Sequence, residues 1–261
     1  VFRPDSNVQF GEGGAGTFSD GKLTTRVNHP LIGPIMDEFV AAGAPKEIRY
    51  AYNPHVGTDL LRRVVKNMRC QIEALGGEVR FGSCVTSIDR TGGCVRSVTV
   101  NSDEIIPAEV LLLGVGHSAR DTYYMLHEQG VMLESKPFAV GVRIEHPQEL
   151  IDHSQYGCAA ADLGLDPADY ALVYHGPDGR AAYSFCMCPG GIVVASASEE
   201  GMVVTNGMSM YKRDSGIANS ALVVNVTTDD VGPGVLAGVE FQRHYERLAF
   251  ELGGRNYCAP A

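Results

Sequence analysis

Two cysteines one residue apart, in Cys186-Met187-Cys188-Pro189-Gly190-Gly191, carry the clearest redox chemistry in the sequence. Residues two apart on an extended strand share a face, so both sulfurs would point the same way. Their Cα atoms would stand roughly 6.5–7 Å apart, at or beyond the upper limit for a disulfide. A bridge therefore requires a bend, which Pro189-Gly190 could permit. A metal site would need two further ligands, and only His175 is conceivable, from a distance. The remaining alternative is two small residues buried on a core strand. Upstream, Gly141-Val142-Arg143-Ile144-Glu145-His146 alternates charged and apolar residues. That pattern puts Arg143 and Glu145 on one strand face, where Arg143 either clamps a carboxylate or pairs with its neighbour. The remaining histidines have no G-x-S-x-G element, so serine hydrolase chemistry lacks support.

Near the start, Gly11-Glu12-Gly13-Gly14-Ala15-Gly16-Thr17-Phe18-Ser19-Asp20-Gly21-Lys22-Leu23 satisfies two phosphate-binding patterns. Gly11, Gly13 and Gly16 spell G-x-G-x-x-G, and Gly16 to Lys22 spell the first seven positions of a P-loop. The first pattern needs a buried strand before it, a helix opening at the third glycine and an acid about 20 residues on. Val8-Gln9-Phe10 is a very short strand, residues Gly16 to Arg26 show no helical period, and Asp37 falls inside a helical stretch. The second needs Ser or Thr after the lysine to hold magnesium, where Leu23 stands, and Asp20 would bring negative charge near the phosphates. Two readings remain: a glycine-rich surface loop, or a loop whose backbone approaches a large flat or anionic ligand. In the second, Gly11, Gly13, Gly14, Gly16, Thr17, Ser19 and Lys22 are candidate contacts. A third element, Gly114-Val115-Gly116-His117-Ser118-Ala119-Arg120, follows the apolar run Val110–Leu113. Backbone donors at such a strand-to-helix turn could meet a phosphate, or the glycines could merely allow a tight turn.

The elements that must position these residues follow from periodicity. Helices are expected over Leu31–Ala42, Thr58–Leu75, Ser118–Gln129 and Val235–Leu252. The second carries a stripe of Leu61, Val64, Val65, Met68, Ile72 and Leu75 and stops at Gly76-Gly77. Strands are expected over Glu78–Phe81, Val85–Asp89 and Cys94–Asn101, and at Val110–Leu113 as a strand buried on both faces. From Lys136 the character turns towards β, with strands at Phe138–Glu145, Tyr170–Tyr174, Ala181–Met187, Ile192–Ala197, Met202–Asn206 and Ala221–Val226. The fold class is α/β with α+β mixing. Two domains are expected, residues 1–135 and a β-rich 136–261.

The 261 residues, 44% hydrophobic, suit one large or two smaller domains. A net charge of −10 without like-charge blocks argues against a nucleic-acid surface. No apolar run reaches the roughly 18 residues of a membrane span. Seven scattered cysteines, an odd number, point to a reducing, cytoplasmic setting. The chain begins Val1-Phe2 without methionine, which suggests a piece excised from a longer protein.

Seven stretches together resemble the bacterial FAD-utilising dehydrogenases, of the two-dinucleotide-binding-domain flavoprotein superfamily. They are Asn7–Leu23, Pro54–Leu61, Gly116–Thr122, Lys136–Asp152, Tyr183–Gly191, and Asn206–Ser209 continued by Ala218–Val224. The resemblance implies a central portion of an FAD-dependent oxidoreductase of unknown substrate. It implies that residues 1–135 are a partial FAD-binding domain whose first strand and G-x-G-x-x-G would precede Val1, and that residues 136–261 are a substrate or cap domain. The loop Gly11–Lys22 would lie against FAD, Val85 beside the adenine, and Gly114, Gly116 and His117 at a second glycine turn near the cofactor. Cys186 and Cys188 would face the isoalloxazine, and Arg143 could meet a flavin carbonyl. NAD(P)H is a candidate electron donor, with a small-molecule substrate and no nucleic-acid or membrane partner. The rivals are a nucleotide- or flavin-binding protein without turnover, and a nucleotide hydrolase using Gly16–Lys22. The isolated chain is expected to hold FAD weakly or not at all.

Overall fold

The strongest apolar period becomes a 17-residue helix, within an α/β mixed fold. The computed structural model describes residues 2–25 and 27–261. In chain order the elements are α1 (Ile32–Ala41), α2 (Thr58–Ala74), β1 (Val85–Thr91), β2 (Cys94–Val100), β3 (Glu104–Pro107), α3 (Arg120–Glu128), β4 (Phe138–Pro147) and α4 (Gln148–Tyr156). They continue with β5 (Val173–His175), β6 (Ala181–Cys188), β7 (Gly191–Ser196), β8 (Val204–Ser209), β9 (Ile217–Val226), α5 (Thr228–Val231) and α6 (Ala237–Leu252).

Contacts group the chain into two units that are discontinuous in sequence. The first takes residues 1–77, 138–226 and 246–261; the second takes 78–137 and 227–245. One boundary falls beside the change of character at Lys136, while the N-terminal segment groups with the later strands. In the first unit, α2 buries Leu61 and Val64 against Ala42, Ala44, Ile48 and Val56, with Met36, Phe39 and Val40 of α1 packed alongside. The far end of the expected stripe lies outside this core, with Leu75 89% exposed. The helix stops where the Gly77 N–H donates to the Ile72 carbonyl at 2.9 Å.

A four-stranded sheet of order β4-β9-β6-β5 dominates the first unit. β4 and β9 pair over ten residues, Phe138 opposite Val226 through Pro147 opposite Ile217. Period two then sets the faces. Arg143, Glu145, Asn219 and Ala221 share one face, and Val142, Ile144, Leu222 and Val224 occupy the other, where all four are exposed. The β7–β8 pair contacts the first face: the Val193 N–H donates to the Glu145 carboxylate at 2.7 Å. In the second unit, β1-β2-β3 form an antiparallel sheet whose Ile88, Val98 and Val100 pack with Leu126 of α3.

Several elements differ from the sequence reading. Val110–Leu113 is not a strand, and Val110 and Leu112 are exposed. A doubly buried strand requires ladder partners, and none of the described residues pairs with this run. Gly114 to His117 therefore do not follow the end of a strand. Glu78–Phe81 is likewise irregular. β3 and α4 were not expected; they are short, and α4 buries polar Gln148 and Asp152, which hides it from an apolar-period search. Among the described residues no helix is long and apolar enough to cross a membrane.

Candidate functional site

The glycine run does not fold as a phosphate loop. Gly14–Phe18 makes a single 3-10 turn, and no helix opens after Lys22, which forms an antiparallel bridge with His55. The run is anchored from within: the Thr58 hydroxyl donates to the Thr17 carbonyl at 2.6 Å, and the Asn206 amide donates to the Phe18 carbonyl at 3.1 Å. Ser19 donates to the Gly16 carbonyl at 2.7 Å, and Glu12 pairs with Arg69 at 2.6 Å. A Cβ at Gly13 would overlap the Thr17 hydroxyl, whereas Gly11, Gly14 and Gly16 face open space.

These anchors deliver Asp20 and Lys22 to the β-sheet. Asp20 is 1% exposed and takes both arms of the Arg213 guanidinium, Nε to Oδ1 at 3.0 Å and Nη2 to Oδ2. The Ser209 hydroxyl also donates to Asp20 Oδ1. Burial alone would raise the Asp20 pKa, but the hydrogen bonds and charge of Arg213, with help from Ser209 and Lys22, bring it below its ordinary value of 3.8. Lys22 Nζ lies 3.8 Å from Asp20 and donates to the Met187 carbonyl, between the two cysteines. No helix opens behind Lys22 and Leu23 carries no hydroxyl for magnesium, so the hydrolase reading lacks its phosphate loop. Beside it, His55 Nε2 lies 2.9 Å from the Tyr211 carbonyl; burial and the Arg213 charge push its pKa down.

The cysteines sit on a bend, though not the one expected at Pro189-Gly190. Phe185 lies opposite Ala221 and Cys188 opposite Asn219, so β6 carries one residue more than β9 across this stretch. Cys186 occupies the bulge with φ 46, in the left-handed region that residues with a Cβ rarely adopt. Cys188 is fully buried, and its thiol donates to the Cys186 carbonyl at 3.3 Å. Arg143 reaches the same carbonyl from β4, Nη1 to O 3.4 Å, and donates to Asn219 Oδ1 at 2.5 Å. Arg143 thus bonds elsewhere than Glu145. The Asn219 side-chain nitrogen is buried with no hydrogen-bond partner among the described residues.

These contacts split the two thiols in acidity. The S–H of Cys188 is the largest influence on Cys186 and, with Lys22 and Arg143, outweighs burial, lowering its pKa from 9.0 to about 6. Cys188 moves upward, chiefly because its proton is held by Cys186 and then because of burial. The contacts thus favour the anion at Cys186 and the protonated thiol at Cys188.

Gly207 on β8 makes room for this arrangement, since a Cβ there would overlap Arg143 Nη1 and Asn219 Oδ1. Gly207→Ala is therefore expected to displace Arg143 from the Cys186 carbonyl and to shift the buried Asn219 amide, with circular dichroism checking that the fold is kept. The pH midpoint for alkylation of Cys186, followed on its own peptide by mass spectrometry, should move up from about 6. An unchanged midpoint would show that Arg143 does not act on this thiol.

Residues 137–261 match the family described as FAD-dependent protein, C-terminal domain-like. Asp20 and Lys22 apart, the groups around the bend belong to that matched segment. The chain is also 56% identical over 258 residues to an uncharacterized protein of Clostridium beijerinckii, covering 98% of this chain and 48% of that one. It thus spans about half the length of that relative. A crystal structure of FqzB is related at 17% identity and a TM-score of 0.30, over 76% of this chain and 39% of that one.

Of the residues expected at a site, Lys22, Arg143, Cys186 and Cys188 come together in one unit. Gly11, Gly13, Gly14, Gly16, Thr17 and Ser19 form the loop that carries Lys22. Val85, Gly114, Gly116 and His117 lie in the other unit. There, Gly116 accepts the Tyr123 hydroxyl at 3.0 Å, and His117 Nε2 lies 3.3 Å from the Gln242 amide nitrogen. His175, the conceivable metal ligand, is exposed on β5, and the described residues hold no metal-capable group of three His, Cys, Asp or Glu. A cleft of about 610 Å³ between Leu23 and Pro54 includes none of the expected site residues.

Asp20, Ser209, Arg213 and Asn219 are new to the site. Ser209 and Asn219 stood inside the stretches that carry the family resemblance. Asp20 stood in the glycine run, where its charge counted only against phosphate binding.

Proposed function

We propose that this chain is part of an FAD-dependent oxidoreductase whose flavin-facing residues gather at the β6 bend. The observation that carries the reading is the donor set of Lys22, Arg143 and the unpartnered Asn219 amide beside the Cys186 thiolate, within a unit whose β-rich half matches an FAD-dependent family. The pyrimidine edge of a flavin carries acceptors at N1, O2 and O4 beside one donor at N3, so donors of this type fit its acceptor positions. When bound, FAD supplies an acceptor for a hydride or an electron pair, with NAD(P)H as the candidate donor. Lys22 and Arg143 hold positive charge where electron density would accumulate. Asp20, locked by Arg213 and Ser209, fixes Lys22 in place, and the open faces of Gly11, Gly14 and Gly16 leave backbone accessible to a large ligand. The substrate is a small molecule and the setting cytoplasmic.

The test is made on the natural gene product that contains this sequence. It should purify yellow, bleach on anaerobic photoreduction and recover its colour with an electron acceptor. A colourless protein that takes up no FAD overturns the reading, and flavin that binds without turnover leaves only a binding protein. The 261-residue chain alone should titrate with FAD weakly or not at all; stoichiometric uptake would contradict that expectation.

A further inference from the structure

A bulge, a carbonyl shared by a thiol and a guanidinium, and a lysine on the intervening residue converge on Cys186-Met187-Cys188. On a regular strand the two sulfurs would be too far apart to pair. The extra residue of β6 removes that regularity at Cys186 itself. Cys188 then turns back towards Cys186, and its thiol reaches the Cys186 carbonyl. The two cysteines also differ in access: Cys186 is half-buried, while Cys188 is enclosed. A small molecule can therefore meet the first thiol and not the second.

We propose that Cys186 and Cys188 form a dithiol–disulfide couple that reduces small-molecule disulfides, with Cys186 as the attacking thiolate and Cys188 as the resolving thiol. The Cys186 sulfur attacks one sulfur of a disulfide RSSR, forming a mixed disulfide and expelling RS⁻, which takes up a proton. Cys188 then loses its proton to solvent and attacks the Cys186 sulfur. That step closes the Cys186–Cys188 bond and releases the second RS⁻, which is protonated in turn. Two thiols become one disulfide, and RSSR becomes two RSH. Lys22 and Arg143, bonded to the Met187 and Cys186 carbonyls next to the attacking sulfur, favour its anionic form. The lowered pKa of Cys186 and the raised one of Cys188 agree with this division of roles. The couple needs no bound flavin, so it stands apart from the flavin reading and survives that reading's failure.

The test uses the reduced 261-residue chain and oxidised glutathione, with products mapped by peptide mass spectrometry. Expected is an internal Cys186–Cys188 disulfide, with two glutathione thiols released for each disulfide formed and no lasting adduct on either residue. The initial rate should rise through pH about 6 and level off near neutrality. In Cys188→Ala, a glutathione adduct should remain on Cys186 with one thiol released; in Cys186→Ala, Cys188 should stay unmodified. Circular dichroism of both variants separates lost chemistry from lost fold. A persistent adduct on Cys186 of the unaltered chain, or no reaction there while exposed Cys70 and Cys258 react, overturns the proposal without recourse to a variant.

Discussion

Asp20→Asn is expected to destabilise the chain by about 3–5 kcal/mol, the cost of removing one partner from a buried ion pair. Asp20 is almost wholly enclosed, and Arg213, whose side chain is 10% exposed, loses its bidentate carboxylate. Ser209 loses a charged acceptor as well. Urea unfolding at pH 7 should show a lower midpoint with an unchanged slope. Arg213→Gln should cost a comparable amount, and the double variant much less than the sum, because the second change removes the charge stranded by the first. Additive losses would mean that the pair is not coupled. The pH dependence has a definite sign. Because the folded pKa of Asp20 is depressed, its contribution is fully present above the ordinary value of 3.8 and disappears as pH falls through the lower folded value. The gap between the parent chain and Asp20→Asn should therefore close in acid below about pH 3.8 and remain constant from there to neutrality.

Gly190→Ala is the second large effect, and it acts on the same ion pair. Gly190 has φ 57 at the turn between β6 and β7, and a Cβ there would overlap the backbone carbonyl of Arg213. The left-handed conformation alone costs a residue with a Cβ about 1–2 kcal/mol. The overlap involves backbone, so the Arg213 segment must shift and carry its guanidinium away from Asp20. A loss above about 2 kcal/mol is expected, by the same urea measurement. The Gly190 N–H also donates to Gln148 Oε1 at 3.0 Å, so α4 holds the turn from the other side. Gln148 is itself fixed by Asp152 and the Ala168 carbonyl, at 2.8 and 2.9 Å. A loss within a few tenths of a kcal/mol would show that this turn moves freely.

Taken together, these contacts describe how the bend is held. The glycine run supplies Asp20 and Lys22, β4 supplies Arg143, β9 supplies Asn219, and the segment after β8 supplies Arg213. The glycine run, β4 and the stretch from Arg213 to Asn219, far apart in sequence, thereby meet around one dithiol. Each is tied to backbone or to an opposite charge, so a side chain lost from one is felt by its neighbours.

Much of this was legible from residue order. Local period, with stop signals at Gly76-Gly77 and Gly253-Gly254, was enough for α1, α2, α3 and α6, because a helix needs only its own backbone and one apolar stripe. Alternation was enough to place Arg143 with Glu145 and to raise the geometric problem of Cys186 and Cys188. Period two is a property of any strand. The residues around the glycine run, Leu23 above all, also weighed against both phosphate-loop patterns that its spacing matched. Residue order thus specified most of the elements and the chemical types available to them.

Only tertiary structure decided which of those types meet. Val110–Leu113 has the composition of a buried strand, yet strand formation requires partners, and the described residues provide none. The bend in β6 fell at Cys186 rather than Pro189-Gly190 because register against β9, not local propensity, places a bulge. Asp20 became the buried anchor of the site through Arg213 and Ser209, which lie about 190 residues away and meet it only when the first unit folds. Acidity followed the same rule: Cys186 and Cys188 are alike as residues. They differ because one sits among donors and the other is enclosed while donating its own proton.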